Sequence, residues 1–191
     1  ATLYGDRIQD IRRIIESGEY VAARGSYREY KDIVRDYHEY LRGNINLNKG
    51  FNVVMDAGNG TGGVIAAPIM KEFGQKVTEL FCDMDGHFPN HFPDPTVEKN
   101  LVTLRDTVRK EGADVGIGYD GDADRIGVVD EKGGIIWGDY LMLIYARQIL
   151  KEHNGATFVS EVKCSRNLFD DIAKRGGKPI MWKAGHSLIK Q

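Results

Sequence analysis

The chain has 191 residues, 41% of them apolar and 28% charged, a composition that suits a globular protein with core enough for one large domain or parts of several. A formal net charge of −2 leaves no electrostatic footprint for nucleic acid or an anionic membrane, and the longest apolar run, Tyr140 to Ala146, is too short to cross a bilayer. Cys82 and Cys164 stand far apart in no metal or redox motif and no signal-peptide pattern is visible, so the expectation is a cytoplasmic protein with reduced thiols.

The first residue is Ala rather than Met, which reads as a chain that begins inside a longer one. Ile8, Ile11, Ile14 and Ile15 place an apolar stripe on a short helix, and Gly18 and Gly25 then punctuate a linker. Ser26-Tyr27-Arg28-Glu29 has the spacing of a capping box and predicts the start of a second helix, with Tyr30, Ile33, Val34, Tyr37 and Leu41 as its buried stripe and Gly43 at its end. Phe51 to Asp56 reads as a buried strand, followed by the turn Ala57-Gly58-Asn59-Gly60-Thr61-Gly62-Gly63 and a helix to about Phe73. Strand, glycine turn and helix can hold phosphate on backbone N–H groups. Here the third glycine of the dinucleotide fingerprint and any Gly-Lys-Ser/Thr are missing, so a tight turn is the better reading.

Lys76 to Phe81 supplies another strand. The segment Asp85 to Pro95 carries Pro89, Pro93 and Pro95 and reads as a rigid loop packed under an active edge. His87 and His91 are four apart, but the prolines exclude the helix a zinc pair would need. Thr96 is placed to cap a helix carrying Leu101, Leu104 and Val108 and ending near Gly112. Asp114 to Tyr119 alternates as a strand, and Asp120-Gly121-Asp122-Ala123-Asp124-Arg125 follows at its end.

Three carboxylates at alternate positions repel one another and call for a cation, and oxygen ligands favour Mg²⁺, Mn²⁺ or Ca²⁺ over zinc. In open α/β sheets ligands gather at this carboxyl edge. An EF-hand loop is excluded. Asp120, Asp122, Asp124 and Glu131 fall at its positions 1, 3, 5 and 12, but Arg125 stands where the obligatory Gly belongs, and the flanks read as strands Ile126–Val129 and Ile135–Trp137 around a hairpin turn. The plain alternative is a solvated acidic turn. Beyond it, Tyr140 to Leu150 reads as an apolar helix, Thr157 to Val162 as a strand ending at Lys163, Ser165 as the cap of a helix to Lys174, and Ile180 to Trp182 as a strand closed by the loop Lys183-Ala184-Gly185-His186-Ser187. Lys163 and His186 thus stand at strand ends, as the Asp cluster does. A lone Lys or His is by default a surface residue.

Gly118 to Arg125 resembles the metal-binding loop of the α-D-phosphohexomutase superfamily, the phosphomannomutase/phosphoglucomutase enzymes. Asp56 to Gly60, Gly86 to Pro95, and Val162-Lys163-Cys164 followed by Trp182 to Lys190 match further segments in the family's order. The resemblance implies mixed α/β sheets flanked by helices. Residues 1–25 correspond to the tail of a first domain and a linker, 26–137 to the family's second domain, and 138–191 to part of its third. It also implies an isomerase that interconverts hexose 1-phosphate and hexose 6-phosphate, of mannose or glucose, with hexose 1,6-bisphosphate as activator. Asp120, Asp122 and Asp124 would bind Mg²⁺ with a phosphoserine oxygen, Arg125 would contact the phosphoserine or the transferring phosphoryl group, and Lys163 and His186 would line the substrate site and serve in proton transfer or charge neutralisation. Metal, Arg and Lys around the charge that spreads over a transferring phosphoryl group supply electrostatic stabilisation. No Ser-His-Asn-Pro segment is present, so the 191 residues by themselves are expected to be inactive, with the remaining domains of the enzyme as partners. The readings from other classes are a stand-alone divalent-cation or phosphosugar binding module and an interaction domain with a vestigial Asp loop.

Overall fold

In the computed structural model, residue 3, residues 5–47 and residues 50–189 are described, the side chain of His186 excepted. Contacts divide the chain into two units, Tyr30–Gly138 and a unit of Ala1–Glu29 with Asp139–Gln191. Helix α1 (Asp6–Ser17) forms as expected and ends at the left-handed Gly18. Its Ile8, Ile11, Ile14 and Ile15 are exposed rather than packed. Helix α2 (Ile33–Asn44) begins well after the Ser26 capping box, with Asp32 at the N-cap position. The Tyr30 hydroxyl reaches forward to the Asp36 carboxylate, tying the residues ahead of the helix to its first turn in place of the Ser–Glu exchange. The stripe assigned to α2 is also not buried. Tyr30, Ile33, Val34 and Tyr37 are exposed, and the buried residue is His38, whose Nδ1 lies 3.1 Å from Glu72 Oε1.

Val53, Val54 and Met55 are apolar without alternation, the mark of a strand covered on both faces, and they are fully buried. Strand β1 (Asn52–Asp56) pairs in parallel with β2 (Lys76–Leu80) and with β3 (Val115–Tyr119). β3 pairs antiparallel with β4 (Ile126–Asp130), and β4 with β5 (Ile135–Ile136), giving the order β2-β1-β3-β4-β5. The mixed α/β sheet predicted from the sequence is therefore present. Helix α3 (Gly62–Glu72) returns the chain from β1 to β2 and contributes Ala67 to the core with Val53 and Met55. Helix α4 (Val102–Glu111) sets Leu104 and Val108 against Val54 and Val129. Thr96 does not cap it. Its N and Oγ1 both donate to Asp94 Oδ1, at 3.0 and 2.7 Å, and the chain passes through a 3₁₀ turn (Glu98–Leu101) before α4. Val97 holds the N-cap position of that turn and Leu101 that of α4, so Thr96 stands too early in the chain to cap either.

In residues 139–191, helix α5 (Gly138–Glu152) and helix α6 (Arg166–Lys174) pack on the parallel pair β6 (Thr157–Glu161) and β7 (Lys178–Trp182). Ala146, Leu150, Phe158, Leu168 and Ile172 form the core. Ser165 caps α6 as predicted, its Oγ accepting from Asn167 N at 3.2 Å. Arg147 forks onto both oxygens of Asp171, at 2.9 and 2.8 Å, and Arg175 adds a third bond at 2.9 Å. The guanidinium of Arg147 foremost, then Arg175, pulls the Asp171 carboxyl down to about 2. Where the sequence predicts only a loop after β7, a single helical turn, α7 (His186–Ile189), closes the segment.

Candidate metal centre

β3 delivers the chain to the carboxyl edge of the sheet, and Asp120 to Arg125 turns there before β4 leaves. One carboxylate oxygen from each of Asp120, Asp122 and Asp124 lies within 4.8 Å of the others. Asp120 is 1% exposed, whereas Asp122 and Asp124 face solvent. An octahedral Mg²⁺ with bonds of about 2.1 Å needs ligand oxygens about 3 to 4.2 Å apart, so small side-chain rotations suffice and the donor set fits a hard divalent cation. Asp122 also borders a cavity of about 410 Å³ beside Tyr37, Leu41, Ile65 and Tyr119.

Arg125 is the organiser of this turn. Its backbone N–H donates to Asp120 Oδ1 at 2.9 Å, its Nε to Asp120 Oδ2 at 2.7 Å, and its Nη1 lies 3.2 Å from Asp94 Oδ1. Burial alone would raise the Asp120 carboxyl, but the backbone N–H and guanidinium of Arg125 outweigh it and hold the group below the usual carboxylate range. The sequence links Arg125 to phosphoryl oxygens only. Its bond to Asp94, 31 residues earlier, has no local signature.

The glycine turn after β1 packs directly on the Asp loop, as the tight-turn reading predicts. A Cβ on Gly60 would stand 2.7 Å from the Gly121 carbonyl oxygen, and Thr61 N donates to that same oxygen at 3.0 Å. Gly60 serves close backbone approach to Gly121. The proline-rich loop lies where the sequence expects it, against the edge: Pro93 and Pro95 are buried, and His91 Nε2 is 3.1 Å from both oxygens of Asp56. Burial pushes the Asp56 carboxyl up, and His91 offsets part of that rise. Among the described residues, Asn59, Phe81, Phe88 and Ala123 are the non-glycine residues with positive φ; three lie in these loops and Phe81 directly follows β2.

Lys163 lies two residues past β6, exposed, with Nζ 3.7 Å from Glu161 Oε1. The backbone of His186 opens α7, and its side chain falls outside the described atoms.

The arrangement defines an α/β protein with a candidate oxygen-donor cation centre at its sheet's carboxyl edge. Family models described as "Phosphoglucomutase/phosphomannomutase, alpha/beta/alpha domain II" and "domain III" match residues 35–134 and 137–191. The chain belongs to the phosphoglucomutase/phosphomannomutase family, within the α-D-phosphohexomutase superfamily. It is 46% identical over 99% of its length to a phosphoglucomutase of Neisseria meningitidis serogroup B. Against a phosphomannomutase/phosphoglucomutase of Pseudomonas aeruginosa the figures are 43% and 100%. In both cases the chain spans 41% of the relative's length. A crystal structure of a phosphoglucomutase/phosphomannomutase family protein from Burkholderia thailandensis matches 98% of the chain with a TM-score of 0.94 at 40% identity, over 41% of that protein. No helix among the described residues is long and apolar enough to cross a membrane.

Proposed function

We propose that this chain is the cation-binding part of a cytoplasmic phosphohexomutase that interconverts hexose 1-phosphate and hexose 6-phosphate through a phosphoserine supplied by another part of the enzyme. The observation that carries the reading is the convergence of Asp120, Asp122 and Asp124 within 4.8 Å beside Arg125, in a chain of this family. Asp120, Asp122 and Asp124 would hold Mg²⁺, which when bound neutralises charge on a phosphoryl oxygen. Arg125 meets Asp120 through Nε and Asp94 through Nη1, and its half-exposed guanidinium has Nη2 to offer phosphoryl oxygens. Lys163 and His186 are assigned to binding the phosphorylated hexose and to charge neutralisation or proton transfer there, with hexose 1,6-bisphosphate as activator. Without the phosphoserine these 191 residues bind the cation weakly and do not turn over substrate.

Asp122 is exposed and uninvolved in the core, so Asp122→Asn removes a cation ligand without touching the fold. In the full-length protein carrying this segment, turnover in a coupled assay with mannose and glucose 1-phosphates should fall about 10²- to 10³-fold, the size of losing one electrostatic contact to a transition state. Turnover unchanged across a Mg²⁺ titration would refute the assignment.

A further inference from the structure

Asp56 closes β1 at 2% exposure, and a carboxylate buried that deeply needs partners for its charge and lone pairs. It has two. Gly58 N donates to Oδ1 at 2.9 Å, and His91 Nε2 stands 3.1 Å from each oxygen. The other ring nitrogen of His91, Nδ1, lies 3.0 Å from the Phe92 carbonyl oxygen. A neutral imidazole has one N–H. Each ring nitrogen therefore faces an oxygen, Nε2 the Asp56 carboxylate and Nδ1 the Phe92 carbonyl, so the ring is gripped from both sides. The neighbouring Cys82 thiol is engaged elsewhere, its Sγ donating to the Leu80 carbonyl oxygen at 3.6 Å. The His91 ring is further braced edge-on against Phe81, with centroids 5.5 Å apart.

An apolar pair would fill this space without burying a carboxylate. A two-sided hydrogen bond differs in fixing the ring's orientation, and with it the next three residues. Pro93 sits 3.0 Å from where a Gly58 Cβ would be and 3.5 Å from where a Gly121 Cβ would be. Asp94, the next residue, holds Arg125. We propose that His91, clasped by Asp56, is a positioning residue that seats the Asp loop by fixing Pro93 against Gly121 and Asp94 against Arg125. The consequence for a cation rests on the Asp loop being the cation site; the seating of the loop does not.

The test uses the full-length protein carrying this segment, with Mn²⁺ alone as probe. His91→Phe keeps a ring against Phe81 and removes both nitrogens, while His91→Gln retains a donor toward Asp56. His91→Phe should speed amide exchange at Thr61 and Arg125 by at least about tenfold, the worth of one charge-assisted hydrogen bond, and weaken Mn²⁺ binding similarly. Val54 and Gly116 in the sheet should exchange as in wild type, and His91→Gln should recover part of both effects. If exchange responds but wild type binds no Mn²⁺, the cation reading fails and the seating stands. If exchange and Mn²⁺ affinity in His91→Phe stay within about twofold of wild type, the seating is overturned. Should His91→Phe not fold, the nitrogen-15 spectrum of wild-type His91 decides: both ring nitrogens hydrogen-bonded at neutral pH supports the clasp, and one bare nitrogen overturns it.

Discussion

The unit from Tyr30 to Gly138 and residues 139–191 each carry candidate site residues, but on different foundations. In the first, Asp120 is buried, Arg125 is held by two carboxylates, and the turn beneath them is packed backbone to backbone on Gly60. In the second, Lys163 projects into solvent beside one glutamate 3.7 Å away, and Ile180, Met181 and Trp182 on β7 are exposed. The difference teaches that the Asp loop is scaffolded by its own sheet, whereas Lys163 stands on an exposed strand end beside a single glutamate.

The largest effect that could break this comparison is in the cores. Leu104 is 0% exposed between α4 and the sheet, and Leu104→Ala should cost about 2–5 kcal/mol in denaturant unfolding. Trp182 is 48% exposed, and Trp182→Ala should cost under about 1 kcal/mol. Equal costs would mean that the exposed face of β7 is held as firmly as the core around Leu104.

Next comes Arg125→Lys in the full-length protein. Nε and Nη1 hold Asp120 and Asp94 at once, and a single ammonium cannot do both while meeting a phosphoryl group. Steady-state rates should fall about 10- to 100-fold, more than for Lys163→Ala. A near-normal rate would make Arg125 a peripheral charge.

The strands, the acidic turn and the Ser165 cap were legible because each has a local period or spacing. Alternation marks Val115 to Tyr119, and three Asp in five residues mark the loop. What escaped was non-local or competitive. Asp56 and His91 meet across 35 residues, and Asp94 and Arg125 across 31, with no periodicity to announce either pair. A carboxylate closing an apolar strand beside a histidine in a proline-stiffened loop was the available signal. Ser26 and Thr96 are not caps because the helical turns begin later, after Asp32 and after Val97, and short spacing rules do not fix where a helix starts.

The smallest expected effect sharpens the picture of residues 139–191. The folded Asp171 carboxyl titrates at about 2 against an ordinary 3.8, so its fork with Arg147 and Arg175 contributes fully above about pH 4 and is lost as pH falls toward 2. Both arginines are nearly half exposed, so Asp171→Asn should cost under about 1 kcal/mol at pH 7. In thermal melts the gap between variant and wild type should close over that acidic range. A gap that persists to pH 2 would show that the fork is not its source.

The left-handed residues have a consequence for the order in which the molecule assembles. Asn59, Phe81, Phe88 and Ala123 each hold a conformation that side chains resist at a cost of roughly 1 kcal/mol or more, and all sit on loops at one edge of a sheet whose interior contains none. The interior can condense without them, because Val54, Leu104 and Val129 make their contacts on unstrained backbone. The edge can only click into place once that interior exists to hold it. The Asp loop and its neighbours would then order last in folding and loosen first in unfolding, well before the core is exposed.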